Sequence, residues 1–143
     1  MDLAVLKQVT EEMIPFNKFL GMCVEDAAHG RVRLAIPFRP ELIGDPTKQA
    51  LHGGVLSTLA DAAGGIAVWS SLENPWSLVS TIDLRVDYLR PGRPERLVAE
   101  GLVIRTGNRV GVADVRLFHP SHEAETIATG KGVYAIKAKT SKH

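Results

Sequence analysis

Two adjacent glycines and one carboxylate, set eight residues apart, are the chemistry-bearing feature of this sequence. The segment Leu51-His52-Gly53-Gly54-Val55-Leu56-Ser57-Thr58-Leu59-Ala60-Asp61 opens an apolar stretch that runs to Leu72, in which Asp61 is the only charged residue. Glycines at a helix start leave backbone N–H groups bare, and the helix dipole adds positive potential there. That combination suits an oxyanion hole. A carboxylate inside an apolar helix is costly unless it is partnered, so Asp61 reads as a working acid or base. Gly53 and Asp61 lie ~12 Å apart along a helix axis, too far for one carbonyl carbon to meet both in a single chain. Two antiparallel helices from two protomers remove that conflict, so the chemistry points to a dimer with sites at its interface.

The remaining composition narrows the setting. With 143 residues, 45% hydrophobic and 23% charged, the chain suits a single globular domain. Lys plus Arg number 17 and Asp plus Glu 16, a balance that argues against a nucleic-acid partner. Cys23 is the single cysteine, which excludes an internal disulfide and a Cys-based zinc cluster and fits a reduced, cytoplasmic protein. It reads as a small hydrophobe. Nothing at the N-terminus reads as a signal peptide, and the 53–72 stretch, with four glycines and a central acid, reads as a buried helix rather than a membrane span. No cluster has metal-ligand spacing, and no cofactor is expected.

The elements that must position these residues follow from periodicity. Residues 3–14 have helical spacing and end at Pro15. Residues 22–28 and 31–38 read as a hairpin around His29-Gly30, and 39–50 as a loop. The apolar helix follows, then four extended runs over 79–88, 97–104, 110–118 and 126–137. A run of strands with one segregated helix is an α+β layer fold: an antiparallel, curved sheet wrapped around one long central helix. Exposed edge strands favour a dimer with a continuous sheet. Gly64-Gly65 is read as a packing feature of the helix, Asp83 and Asp87 as facing solvent or an Arg, and His119 and His122 as surface residues of a turn.

The stretch His52-Gly53-Gly54…Asp61, with the order of elements and with Thr81-Ile82-Asp83…Tyr88-Leu89-Arg90-Pro91-Gly92, resembles the HGG-x₆-D/E signature of hotdog-fold acyl-CoA thioesterases. It is most similar to the PaaI-like branch of the 4-hydroxybenzoyl-CoA thioesterase superfamily. The resemblance covers residues 15–137 and implies a single hotdog domain over 1–143, with an N-terminal helix in 1–15 and a polar tail over 138–143. It implies that the Gly53 amide polarises the thioester carbonyl. It also implies that Asp61 from the partner chain acts as nucleophile or as general base, that Thr81 helps position the water, and that His52 orients the loop or contacts the thioester. Coenzyme A is expected at Gly54 and at two turns, Arg90 to Arg93 and Arg105-Thr106-Gly107-Asn108-Arg109. The acyl group is expected beside Leu56, Leu59, Ala62, Ile66 and Trp69, as an aromatic or medium-chain acid. Where many relatives carry Asn or Gln six residues before the His, this chain has Pro46, leaving Asp45 or Gln49 as substitutes. A hydratase or dehydratase on acyl thioesters and a non-catalytic acyl-CoA-binding module are the rival functions. A dimer of dimers stays open.

Overall fold

The computed structural model describes residues 1–139; the tail expected over 138–143 lies outside them from Thr140 onward. The chain forms helices α1 (Leu3–Gln8), α2 (Pro15–Leu20) and α3 (Gly53–Ser70), and strands β1 (Cys23–Ala28), β2 (Arg31–Ile36), β3 (Ile43–Asp45), β4 (Ala50–Leu51), β5 (Leu78–Tyr88), β6 (Leu97–Thr106), β7 (Val110–Phe118) and β8 (Ala128–Lys137). Six strands make one antiparallel sheet in the order β1-β2-β6-β7-β8-β5, with β3 and β4 a separate small hairpin. This is the hotdog arrangement expected from the sequence.

Close approach sets the depth at which α3 sits. Leu56, Leu59, Ala60, Ala63 and Ala67 turn one face of α3 into the core with Val32, Leu34, Leu97, Ala99, Val115 and Leu117 of the sheet. Each fully buried Leu or Val contributes on the order of 1.5–3 kcal/mol. Beneath the helix the strands carry glycine: a Cβ on Gly101 would lie 2.4 Å from the Ala63 carbonyl oxygen, and one on Gly111 2.6 Å from Val68. Gly64 has the same role on the helix side, where a Cβ would meet the Tyr134 hydroxyl at 2.2 Å. That hydroxyl donates to the Asp61 carbonyl at 2.9 Å. Burial, and then the Asp61 charge, push the Tyr134 phenol well above its ordinary range.

Three expectations change. The first helical segment stops at an extended Ile14, just before Pro15 as expected, but a second helix, not expected from the periodicity, follows it. A π-helical turn spans Val9–Met13, and Pro15 then opens α2, where its missing N–H is no loss. The expected 39–50 loop contains the β3–β4 hairpin, turned at Gln49 with φ 52°. The strict alternation expected along β5 breaks at a bulge between Thr81 and Asp83. Val79 and Thr81 face the helix, Ile82 points out at 58% exposure, and Leu84 and Val86 face inward again.

The N-terminal segment is tied to the sheet by Glu11, whose carboxylate accepts from the Val24 N–H and from the Lys7 ammonium, both at 2.9 Å. Burial raises this carboxyl, but the Val24 bond and then Lys7 outweigh it and hold the group below its ordinary value. A depressed carboxyl stabilises the fold fully above its unfolded value of ~4.3, and that contribution disappears as pH falls below it through the folded value. Thermal melts should therefore show a gap between the native protein and Glu11→Gln at neutral pH that narrows as the pH falls through the carboxylate range. Gly101→Ala should lower stability by about 1–3 kcal/mol through overpacking against Ala63, measured by denaturant unfolding; an unchanged midpoint would mean that the helix does not sit so close.

Candidate active site

Helix α3 starts at a His cap. His52 takes an extended conformation, and its Nδ1 accepts from the Gly54 N–H at 2.8 Å. The bare Nδ1 places the ring proton on Nε2 in the neutral form. A Cβ on Gly54 would lie 2.8 Å from that Nδ1, so glycine is required for the ring to lie across the helix start. The cap occupies the Gly54 amide, and the Gly53 N–H is left without a partner among the described residues. The two glycines are therefore not equivalent donors.

The Gly53 carbonyl is held from β5. Tyr88 and Ser57 hydroxyls each donate to it at 3.0 Å and contact one another. The Tyr88 ring lies over Gly53, where a Cβ would approach it to 3.3 Å. Sequence reasoning missed both hydroxyls. Tyr88 stands in the sequence as the end of the strand that precedes the Arg90 turn, and nothing in the spacing announces that it meets the helix start.

Two turns further along α3, Asp61 is half-buried and accepts from the Thr81 hydroxyl at 2.7 Å. Both belong to one chain. The carboxylate faces a cavity of about 840 Å³ between α3, β5 and the N-terminal helical segment. Thr58, Ser57 and Thr81 are polar neighbours of Asp61 there, and Ile66, Trp69, Val79, Leu84, Met13 and Ile14 make apolar wall. Helical phase decides which expected residues take part. Ala62, Ile66 and Trp69 share the Asp61 face and line the cavity, whereas Leu56 and Leu59 point into the core at 2% and 0% exposure.

The two Arg-bearing turns lie at opposite ends of α3. Gly92 accepts from the Leu51 N–H at 3.0 Å, which puts the Arg90 to Arg93 turn at the helix start. Thr106 contacts Ser71 at 3.3 Å, which puts the Arg105, Gly107, Asn108 and Arg109 turn at its end. Eighteen residues of helix separate the two by ~27 Å. Arg90 and Arg93 converge on Glu125, at 3.4 and 3.7 Å, and Arg93 also meets His122 at 2.8 Å. Arg105 and Arg109 are exposed and make no ion pair among the described residues. Asp45 and Gln49 fold back on their own turn. Asp45 accepts from the Thr47 hydroxyl at 2.6 Å, which holds its carboxyl below the usual range, and Gln49 donates to the Pro46 carbonyl. Asp87 pairs with Arg85, and Asp83 is exposed, as expected. His119 departs from expectation: it is 2% exposed, with both ring nitrogens engaged by backbone groups of the β5–β6 connection. Among the described residues no His, Cys, Asp and Glu group is arranged to hold a metal, and no helix is long and apolar enough to cross a membrane.

A six-stranded antiparallel sheet packed on one long helix is the hotdog fold, and comparison with known proteins agrees. Residues 48–125 match the model of the thioesterase superfamily. The chain is 37% identical over 146 residues to an Escherichia coli protein named medium/long-chain acyl-CoA thioesterase YigI, with 92% of this chain and 93% of that one covered. It is 43% identical over 141 residues to a protein of Halobacterium salinarum, covering 94% and 93%. A crystal structure from Shewanella oneidensis, described as related to the thioesterase superfamily, superposes with TM-score 0.84 at 35% identity over 94% of this chain and 95% of that one. The chain belongs to the thioesterase superfamily. It is a thioester hydrolase.

His52→Ala removes the helix cap, and by analogy with other caps should cost about 0.5–2 kcal/mol, read as a lower denaturant midpoint.

Proposed function

We propose that the protein hydrolyses acyl-CoA thioesters, with the acyl chain in the cavity beside α3 and the thioester carbonyl between Asp61 and a Gly53 amide. The observation that carries this reading is Asp61, fixed by the Thr81 hydroxyl on the wall of a largely apolar cavity. One carboxylate oxygen is held by Thr81, which leaves the other for chemistry. The carbonyl oxygen accepts from the unpartnered Gly53 N–H at the positive end of α3. Asp61 either attacks the carbonyl carbon, giving an anhydride that water then opens, or takes a proton from the attacking water. The coenzyme A thiolate leaves and is protonated. The cavity extends from Asp61 past Ile66 and Trp69 to Trp76. That length supports a medium- or long-chain acyl group, in line with the name of the Escherichia coli relative, over a compact aromatic one. The HGG-x₆-D spacing supports the PaaI-like branch, and the free thiol of Cys23 fits a cytoplasmic setting.

The reading requires two protomers. Strand β5 is a sheet edge of 11 residues, long enough to invite pairing. It runs antiparallel to α3, with Thr81 at Asp61 and Tyr88 at Gly53. A twofold axis near Leu84 that pairs two β5 edges would bring Asp61 of one protomer opposite the partner's Gly53. The same rotation brings the Arg90–Arg93 turn of one protomer towards the partner's Arg105–Arg109 turn, so that Arg90, Arg93, Arg105 and Arg109, with Gly107 and Asn108, would share one set of coenzyme phosphates. The outer face of the sheet stays available for a dimer of dimers.

Asp61→Asn should lower turnover at least ~100-fold in a thiol-release assay with a medium-chain acyl-CoA, the usual size of a base or nucleophile effect. Full turnover in that variant would refute the assignment. Retention of acyl-CoA by the native protein with no thiol released would favour the binding module instead.

A further inference from the structure

His119 is buried at the end of β7, and both of its ring nitrogens are used. Nδ1 lies 2.8 Å from the Arg96 carbonyl oxygen, and Nε2 lies 2.9 Å from the Arg93 backbone nitrogen. A carbonyl can only accept and a backbone N–H can only donate. The ring is therefore neutral, with its proton on Nδ1 and Nε2 bare. One rigid side chain thus clips residues 93 and 96 of the same turn. The neighbouring residue, Gly92, accepts from the Leu51 N–H at 3.0 Å, and a Cβ on Gly92 would meet the Leu51 side chain at 3.1 Å. Leu51 stands two residues before Gly53. Charged groups surround the ring without replacing it: Glu95 is 3.9 Å from Nδ1 and is held by Ser121, while Arg93 extends to His122 and Glu125.

We propose that His119 is a positioning residue for the Gly53 amide, acting through the Arg93 N–H, the Gly92 carbonyl and the Leu51 N–H. The inference rests on the reading of Gly53 as the donor to the thioester carbonyl. It assigns a task to a histidine that touches neither the cavity nor Asp61. Small displacements of a polarising donor are costly, because its hydrogen bond to the developing oxyanion depends on distance and direction. Loss of the clip should consequently act on kcat, and should do so whether or not the substrate carries the nucleotide.

The test is steady-state kinetics of His119→Phe and His119→Gln on a medium-chain acyl-CoA and on the N-acetylcysteamine thioester of the same acid, which lacks the phosphates. The expected result is a fall in kcat of at least ~10-fold for H119F on both thioesters. H119Q, whose amide can both donate and accept, should recover most of that loss. His119→Met fills the space without either bond and serves if H119F does not fold. Three results would overturn the proposal: H119F or H119M with native kcat, an equal loss in H119Q and in the apolar variant, or a loss confined to the KM for the acyl-CoA. Asp61→Asn, assayed alongside, separates the clip from the carboxylate half of the proposed mechanism. Native kcat in H119F with Asp61→Asn inactive removes the His119 role alone. Full activity in Asp61→Asn removes the carboxylate's role, while a kcat loss in H119F on both thioesters still supports the clip.

Discussion

The depth at which α3 settles on the sheet governs everything else in this protein. Ordinary side chains on the strands would hold a helix well away from the sheet surface. Here Gly101 and Gly111 let Ala63 and Val68 approach the strands directly, and Gly64 admits the Tyr134 hydroxyl from the sheet to the helix backbone. Close packing of this kind is unforgiving, because a single added methyl has nowhere to go. It also fixes the axial position of α3 against β5, and that position places a carboxylate beside a hydroxyl and a helix start beside a tyrosine.

Given that placement, the two ends of the candidate site have different characters. The Asp61 end is a side-chain pair over an apolar space. The Gly53 end is built from backbone: an amide freed because the neighbouring one is capped, and a carbonyl held by two hydroxyls. The proposed mechanism needs both ends, and the eleven-residue open edge of β5 lies next to both of them.

Much of this was legible in the residues themselves. The switch from helical to alternating periodicity after Leu72 gave the layer order, and the uncharged run around Asp61 marked the central helix and its acid. What was not legible shares one property: it depends on contacts between segments distant in sequence. His119 reads as a turn histidine beside Pro120, yet it is covered because the β5–β6 connection folds over it. Leu56 and Leu59 are apolar neighbours of the site in sequence, yet helical phase turns them to the core. Pro15 reads as a stop by local rules and the first helix does stop there, but the same residue also starts a second helix after the chain turns at Ile14. Tyr88 and Ser57 carry no local mark of their meeting at Gly53.

The irregularity in β5 has a wider consequence. Thr81 and Tyr88 are seven positions apart, an odd interval that in a regular strand would send them to opposite sides of the sheet. Both reach α3 because one surplus residue restores their parity. The length of chain between them is accordingly as much a part of the site as their hydroxyl groups. Relatives that gain or lose a single residue there would keep the strand and the sequence motif, yet lose one of its two grips on the helix.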